Sequence, residues 1–386
     1  MLAAELGQRL QRTSHRLSTL CEDLDDMMLR QQFDAEFSAI GWHLGHVAWQ
    51  EELWVLRDRF NEPPLEVAFD AVFDAARPHK HRRGPLLPEK SVLLDYRREV
   101  RARVLDRLEQ IIDDGSKQLM RGAGLLRFVA NHESQHAEIV AALRLAGELS
   151  LTASVLPEPQ RVEALNEWVG FAGGDFIMGT SVHPDRFDNE APEHVATVSP
   201  FQLARAPVTN GAWLEFVARG GYRDPALWSE AGFAWARAGG VEQPLYWSFD
   251  ERNGWRERTL FGTKALERER PVCHVSWYEA DAFARFAGAR LPSEAEWEWA
   301  ASSEPQLTQM FGSVWQWTGD VFAPYPGFEP QPYRDYSAPW FDGQHRVARG
   351  GAFVTEAEIA RTTFRNWYLP HSRRAFLGLR LAKDVR

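Results

Sequence analysis

Cysteine is nearly absent from this chain of 386 residues, which carries Cys21 and Cys273 and no others. Two thiols cannot build the cross-linked framework of a small secreted domain, and reduced thiols suit the cytoplasm, the compartment expected here. Long apolar runs are also missing. Nothing approaches the roughly 20 residues of a membrane span, and the opening stretch is amphipathic with scattered charges, unlike a signal peptide. No membrane partner is expected. There is no basic block either. Lys+Arg number 44 against 54 Asp+Glu, a net charge of −10, which argues against nucleic acid as a partner because binding a phosphate backbone takes clustered cations. Internal repeats and low-complexity segments are lacking. Tryptophan is the excess, with 16 residues, and it builds irregular aromatic cores or lines pockets.

The chain is long enough for two cores, and its halves follow different patterns. Residues 1–150 are poor in glycine and place apolar residues at helical spacing. The expected helices run from Leu2 to about Leu29, Glu36 to Arg59, Lys90 to Ile112 and Gly122 to Ala146, a four-helix bundle. Trp42, His46, Trp49 and Leu53 form one stripe. Leu125, Val129, His132, His136, Ile139 and Leu143 form another. Asn61 to Pro88 is too rich in proline and basic residues for a helix and is expected as a long loop. Residues 151–165 suit a linker. Over 166–386 glycine, proline and tryptophan become frequent, strand-like runs are short, and two good helices are expected, Asn210 to Arg219 and Trp277 to Ala287. The expected class is α+β.

Three histidines carry the chemistry. In Asn131-His-Glu-Ser-Gln-His136, the i, i+4 spacing puts His132 and His136 on one helical face. His46 lies in Trp42-His-Leu-Gly-His-Val-Ala-Trp49, on the apolar stripe, whereas His43 falls toward its edge and is expected as a neighbour of the site. Two ligands from one helix and one from another would leave open positions on a metal, the mark of a catalytic centre. A lone histidine on an apolar face is more often a satisfied core residue, but here the pattern is triple. His132-Glu133-Ser-Gln-His136 also fits the H-E-x-x-H motif of zinc peptidases, with Glu133 as base. A third possibility is a non-enzymatic binding scaffold.

The second half resembles the formylglycine-generating-enzyme, or sulfatase-modifying factor, domain, a variant of the C-type lectin fold. The resemblance rests on Gly173-Gly-Asp-Phe-Ile-Met-Gly179, Asp188-Asn-Glu-Ala-Pro-Glu-His194, Pro271-Val-Cys-His-Val-Ser-Trp277, Ala289-Arg-Leu-Pro-Ser-Glu-Ala-Glu-Trp297, Gly312-Ser-Val-Trp-Gln-Trp-Thr318, Arg349-Gly-Gly351 and Gly378-Leu-Arg-Leu381. Formylglycine generation itself needs a cysteine pair, and this half has Cys273 alone. The first half resembles a DinB-type four-helix bundle. The pairing is similar to the EgtB-like sulfoxide synthases of ergothioneine biosynthesis and to selenoneine synthases of the same architecture. The resemblance implies an Fe(II) enzyme that uses O2 to join a chalcogen donor to imidazole C2 of hercynine (Nα-trimethylhistidine). It makes His46, His132 and His136 the iron ligands and maps the proton donor onto Tyr333 in Gly327-Phe-Glu-Pro-Gln-Pro-Tyr333-Arg-Asp-Tyr336, with Tyr336 second. Gln135 and Asn366 match hydrogen-bonding partners of hercynine, and Trp367 lines the same pocket. Arg365 is either a carboxylate anchor or a structural ion-pair residue.

The chain departs from its relatives at the donor side. Family members that take γ-glutamylcysteine carry an acidic residue after the tryptophan matching Trp367, and Tyr368 stands there instead. They also hold donor carboxylates with two arginines after the second helix. Here Ala76-Arg-Pro-His-Lys-His-Arg-Arg-Gly-Pro85 does not repeat that spacing, and the stretch between Trp299 and Gly312 is shortened. A selenosugar donor, and with it selenoneine synthesis, is therefore the leading expectation. An ergothioneine-type synthase using cysteine or γ-glutamylcysteine is the alternative.

Overall fold

The computed structural model describes residues 1–112, 121–151, 156–162, 167–303, 306–331 and 336–385. The chain forms two compact units, Met1–Val155 and Leu156–Arg386. Four long helices build the first unit among the described residues. They are Leu2–Thr19, Ile40–Glu51 with its continuation, Lys90–Asp106 and Gly122–Ala146. The second helix continues through a π-helical segment, Glu52–Arg57, and a last turn, Asp58–Phe60. The first helix packs along the fourth, and the second lies against the third and the fourth.

Three expectations for this unit change. The third helix ends at Asp106, and Leu108–Ile112 is a separate short helix. The first helix ends at Thr19, and Asp26–Arg30 is a separate helix whose N-terminus is capped by the Asp25 carboxylate on the Met28 amide at 2.8 Å. Aspartate favours that capping position over a helix interior. The 61–88 stretch is not structureless. It holds the short helices Phe69–Phe73 and Lys80–Arg83 and a 3-10 turn, Gly84–Leu86. Its prolines confine helix to single turns between them rather than abolishing it.

A charged cluster lies inside the bundle. Glu133 accepts from Arg97 Nη2 at 2.9 Å, Arg101 Nη2 at 2.9 Å and Thr13 Oγ1 at 2.7 Å. Arg101 also makes a two-pronged pair with Glu51, with both contacts at 2.8 Å. All four charged residues are buried, where charge persists only if it is paired.

The second unit mixes small sheets with helices. β1 (Trp168–Phe171), β4 (Phe201–Ala204) and β12 (Ala382–Asp384) form one sheet, with β4 central. β2 (Gly174–Met178) and β3 (His194–Val198) form a ribbon, and β5 (Trp247–Asp250), β6 (Gly254–Thr259) and β7 (Gly262–Ala265) a meander. The fourth sheet runs in the order β10 (Asn366–Tyr368), β9 (Arg346–Arg349), β8 (Trp315–Val321), β11 (Leu377–Leu379), and β11 lies parallel to β8. Among the described residues four helices of nine or ten residues accompany them, not two: Asn210–Ala218, Glu230–Ala238, Trp277–Phe286 and Glu294–Ser303. Glu230–Ala238 is short and capped by Ser229 Oγ on the Gly232 amide, so its periodic pattern is too brief to stand out among glycines and tryptophans.

The tryptophan excess fills this core. Trp213, Trp297, Trp315 and Trp317 are fully buried. Trp297 donates to Gln316 Oε1 at 3.0 Å and Trp317 to the Val275 carbonyl at 3.0 Å, so these two buried indole N–H groups are satisfied. Gly350 in Arg349-Gly-Gly351 has φ of 98°, and a Cβ there would meet the Met310 carbonyl at 2.4 Å. Only glycine fits at both counts.

Candidate metal centre

The site begins with a missing Cβ. At Gly45, an added Cβ would lie 2.2 Å from the Phe73 ring. Glycine thus lets the Phe69–Phe73 turn approach the second helix, and the Phe73 carbonyl lies 2.8 Å from His46 Nδ1. A carbonyl can only accept, so Nδ1 carries the proton and Nε2 keeps its lone pair. Orienting a ligand imidazole through its other nitrogen is how metal sites fix ring and tautomer. His136 is held in a similar way, with its Nδ1 2.9 Å from His43 Nδ1.

His46, His132 and His136 each offer a ligand nitrogen, and these atoms lie within 4.8 Å of one another. A first-row metal about 2.1 Å from each would draw the nitrogens closer still, to roughly 3 Å of one another in a facial arrangement. Aromatic rings brace the cluster. Trp42 stacks on His46 at 4.2 Å and 14°, and Trp54 meets His132 edge-on at 5.3 Å. Trp54 is buried while Leu53 is only half-buried, the reverse of the α-helical stripe. The π-helical turn that begins at Glu52 shifts the phase and brings Trp54 inward, and such turns are frequent at functional sites.

The rings are held neutral. Burial lowers His43 and His132 to about 3, with the neighbouring histidines adding to it. Burial, then the charge of His132, holds His46 and His136 well below the ordinary histidine value. Neutral imidazoles offer lone pairs without first losing a proton. In the metal-free protein the unfolded chain takes up protons near pH 6.5 that the folded state refuses. Stability contributed by the neutral rings is therefore complete above that pH and declines as pH falls. Each histidine contributes a slope of up to about 1.4 kcal/mol per pH unit. Urea unfolding between pH 7 and pH 5, above the carboxylate range, should show a falling midpoint, and a flat profile would contradict the neutral cluster.

The donor set therefore fits a catalytic metal: three neutral histidines, with two Nδ1 atoms already engaged outside the cluster. The zinc-peptidase reading does not survive this geometry. Glu133 neighbours His132 in sequence, but its carboxylate is held by Arg97, Arg101 and Thr13. Burial by itself would raise its pKa, yet Arg101 and Arg97 draw it below the ordinary value. A carboxylate so engaged is not a base for a metal-bound water.

Residues 153–306 and 302–385 match the sulfatase-modifying factor enzyme 1-like domain, and residues 9–140 match the DinB superfamily. The chain is 35% identical to a hercynine oxygenase of Mycobacterium tuberculosis, over 94% of this chain and 95% of that protein. It is also 35% identical to a hercynine oxygenase of Mycolicibacterium thermoresistibile, over 99% and 95%. The chain belongs to the EgtB-like family. A more distant similarity, 25% identity over 87% of this chain and 48% of the relative, links this EgtB-like chain to ergothioneine biosynthesis protein 1 of Schizosaccharomyces pombe.

The remaining candidate residues of this family member are distributed as follows. Gln135 is half-buried on the fourth helix. Asn366, Trp367 and Tyr368 form the half-buried strand β10. Asn366 Nδ2 donates to Tyr368 Oη at 2.9 Å, and Trp367 stacks on Phe322 at 4.4 Å. Arg365 is buried and structural, pairing with Glu294 at 2.6 and 3.0 Å and donating to the Asn189 and Ala323 carbonyls. Tyr333 lies outside the described residues. Tyr336 is buried and stacks on Phe187 at 4.6 Å. Sequence reasoning passed over Phe73 and Trp54. Phe73 acts through its carbonyl, which no side-chain pattern reveals. For Trp54, the signal was a tryptophan one position out of phase with the apolar stripe. Among the described residues, no helix is long and apolar enough to cross a membrane.

Proposed function

We propose that this chain catalyses O2-dependent oxidative C–Se bond formation at imidazole C2 of hercynine, with a selenosugar as donor, at an Fe(II) centre held by His46, His132 and His136. The observation that carries this reading is the buried cluster of three neutral histidines in a DinB-type bundle. The reaction balances as hercynine C–H plus donor Se–H plus O2, giving the C–selenoxide and water. Bound Fe(II) would supply the electron transfer to O2 that neither organic substrate undertakes alone. The protein supplies the rest: orientation of the substrates, exclusion of bulk water and a proton.

In this reading Gln135 and Asn366 hold hercynine by hydrogen bonds, and the Trp367 ring offers a face to its trimethylammonium group. Tyr333 gives the proton, since a phenol at neutral pH is a donor that keeps its hydrogen until a stronger base forms nearby. Tyr333→Phe keeps the ring and removes that proton. Metal content is expected to be unchanged while product per O2 consumed falls by roughly 10²-fold or more, the usual contribution of a positioned acid. Wild-type coupling in this variant would transfer the role to Tyr336 or to water.

The donor assignment rests on two features. Tyr368 replaces an acid that would meet a donor's ammonium group, and burying that ammonium beside a phenol leaves it without a counter-ion. Arg83, in the basic loop, is committed elsewhere. It donates to Ser38 Oγ and the Ala75 carbonyl, both at 2.7 Å, and lies over the Trp42 ring at 3.9 Å. That leaves it poorly placed to grip a donor carboxylate. The second reading, an ergothioneine-type sulfoxide synthase using cysteine or γ-glutamylcysteine, draws support from the names of the relatives. Competition decides between them. With Fe(II), O2 and hercynine, and with selenosugar and γ-glutamylcysteine at equal concentration, mass spectrometry should find the selenosugar adduct in excess. Preferential γ-glutamylcysteine adduct would overturn the donor and leave the iron chemistry standing.

A further inference from the structure

A fourth histidine stands in the cluster outside the ligand set. His43 is buried at 4% exposure. Its Nδ1 lies 2.9 Å from Nδ1 of His136, and its Nε2 is buried without a hydrogen bond of ordinary geometry, the Ser38 backbone being the polar group that also acts on the ring. Its ring stands edge-on to Trp42 at 5.3 Å and 86°. His43 and His46 lie three residues apart on one helix, so the segment that supplies one ligand also supplies the partner of another.

A contact of this length between two neutral imidazoles contains one hydrogen, which ties the two tautomers together. When His43 donates, His136 accepts on Nδ1 and carries its own proton on Nε2, which blocks the nitrogen a metal would need. When His136 donates, its Nε2 keeps the lone pair, and His43 carries its proton on Nε2. We infer that His43 is a positioning residue: it is the acceptor that fixes His136 in the metal-binding tautomer. This inference rests on the metal reading above.

The poorly satisfied Nε2 supports it. A buried polar atom without a partner is destabilising, and a phenyl ring would fill nearly the same space without that penalty. What the imidazole adds is Nδ1 opposite His136.

The test uses Co(II) as the metal, bound anaerobically to the full-length metal-free protein. Affinity is read by competition with a chelating dye, and coordination by the visible ligand-field spectrum. His43→Phe is expected to weaken Co(II) binding roughly 10–100-fold, the usual effect of losing such a partner, with the unfolding midpoint of the metal-free protein unchanged or raised. His43→Asn, whose amide oxygen takes the place of Nδ1, should recover most of the affinity and the wild-type spectrum. Wild-type affinity in His43→Phe, or no recovery in His43→Asn, overturns the role of His43 and leaves the metal reading intact. If the wild-type protein takes up no Co(II), the metal reading falls and the role of His43 falls with it. If His43→Phe fails to fold, His43→Gln replaces it. Its amide oxygen sits one methylene farther out, near the position of Nε2, so binding as tight as in His43→Asn would overturn the inference.

Discussion

His132→Ala is expected to leave the protein folded and without tightly held metal, and to drop product formation by more than about 100-fold. The scale follows from comparison. Losing a partner that merely orients a ligand costs roughly 10–100-fold in metal affinity, and losing one of three ligands must exceed that. The side chain is a neutral ring packed edge-on against Trp54 rather than a member of the Glu133 charge cluster, so its removal leaves a small cavity and no unpaired charge. Iron content after anaerobic reconstitution, measured beside turnover and the thermal midpoint, checks all three parts. Retained iron and turnover would remove the triad from the chemistry. Loss of iron together with collapse of the fold would instead make His132 a packing residue.

The parts of this site legible in the sequence are those that side-chain spacing encodes. His132 and His136 at i, i+4 announce themselves, and the fourth helix, Gly122–Ala146, runs as its apolar pattern predicts. His46 is legible because it shares a stripe with Trp42 and Trp49. The limits have physical causes. The stripe fails at Leu53 because a π-helical turn is a change of phase, and a pattern read at 3.6 residues per turn assumes constant phase. The Phe73 carbonyl that orients His46 is backbone and belongs to a loop. Arg365 has two readings in sequence because its partner, Glu294, lies 71 positions away. Of the donor side, sequence offers the contrast between Tyr368 and an acid, and β10 adds the hydrogen bond from Asn366 to Tyr368. Glu133 is the case in which a sequence motif misleads. Five residues spell a peptidase motif, and the identity of the middle ones is decided by what stands across the bundle.

That last residue carries the second large effect. Glu133→Ala is expected to destabilise the protein by about 3–5 kcal/mol, the usual result of removing one partner from a buried charge cluster. Arg101 would keep Glu51, but Arg97 would keep only the Leu44 carbonyl at 2.9 Å and Ser14 Oγ at 3.2 Å, with no anion hydrogen-bonded to a buried guanidinium. Glu133→Gln preserves shape and the contact with Thr13 while removing the charge, so it should fall between wild type and Ala. Acid acts in the same direction. Because Arg101 and Arg97 hold the carboxyl below its ordinary value despite burial, its contribution is complete above the unfolded carboxylate range near pH 4.5. That contribution disappears as pH falls through the lower folded value. Urea unfolding of the metal-free variants at pH 7 gives the stability change, and turnover of the folded fraction after Fe(II) reconstitution gives the chemistry. A structural Glu133 predicts a large shift in midpoint with turnover per folded molecule close to wild type. A catalytic Glu133 predicts the opposite, an unchanged midpoint with turnover abolished, and that outcome would restore the peptidase-type assignment of the motif.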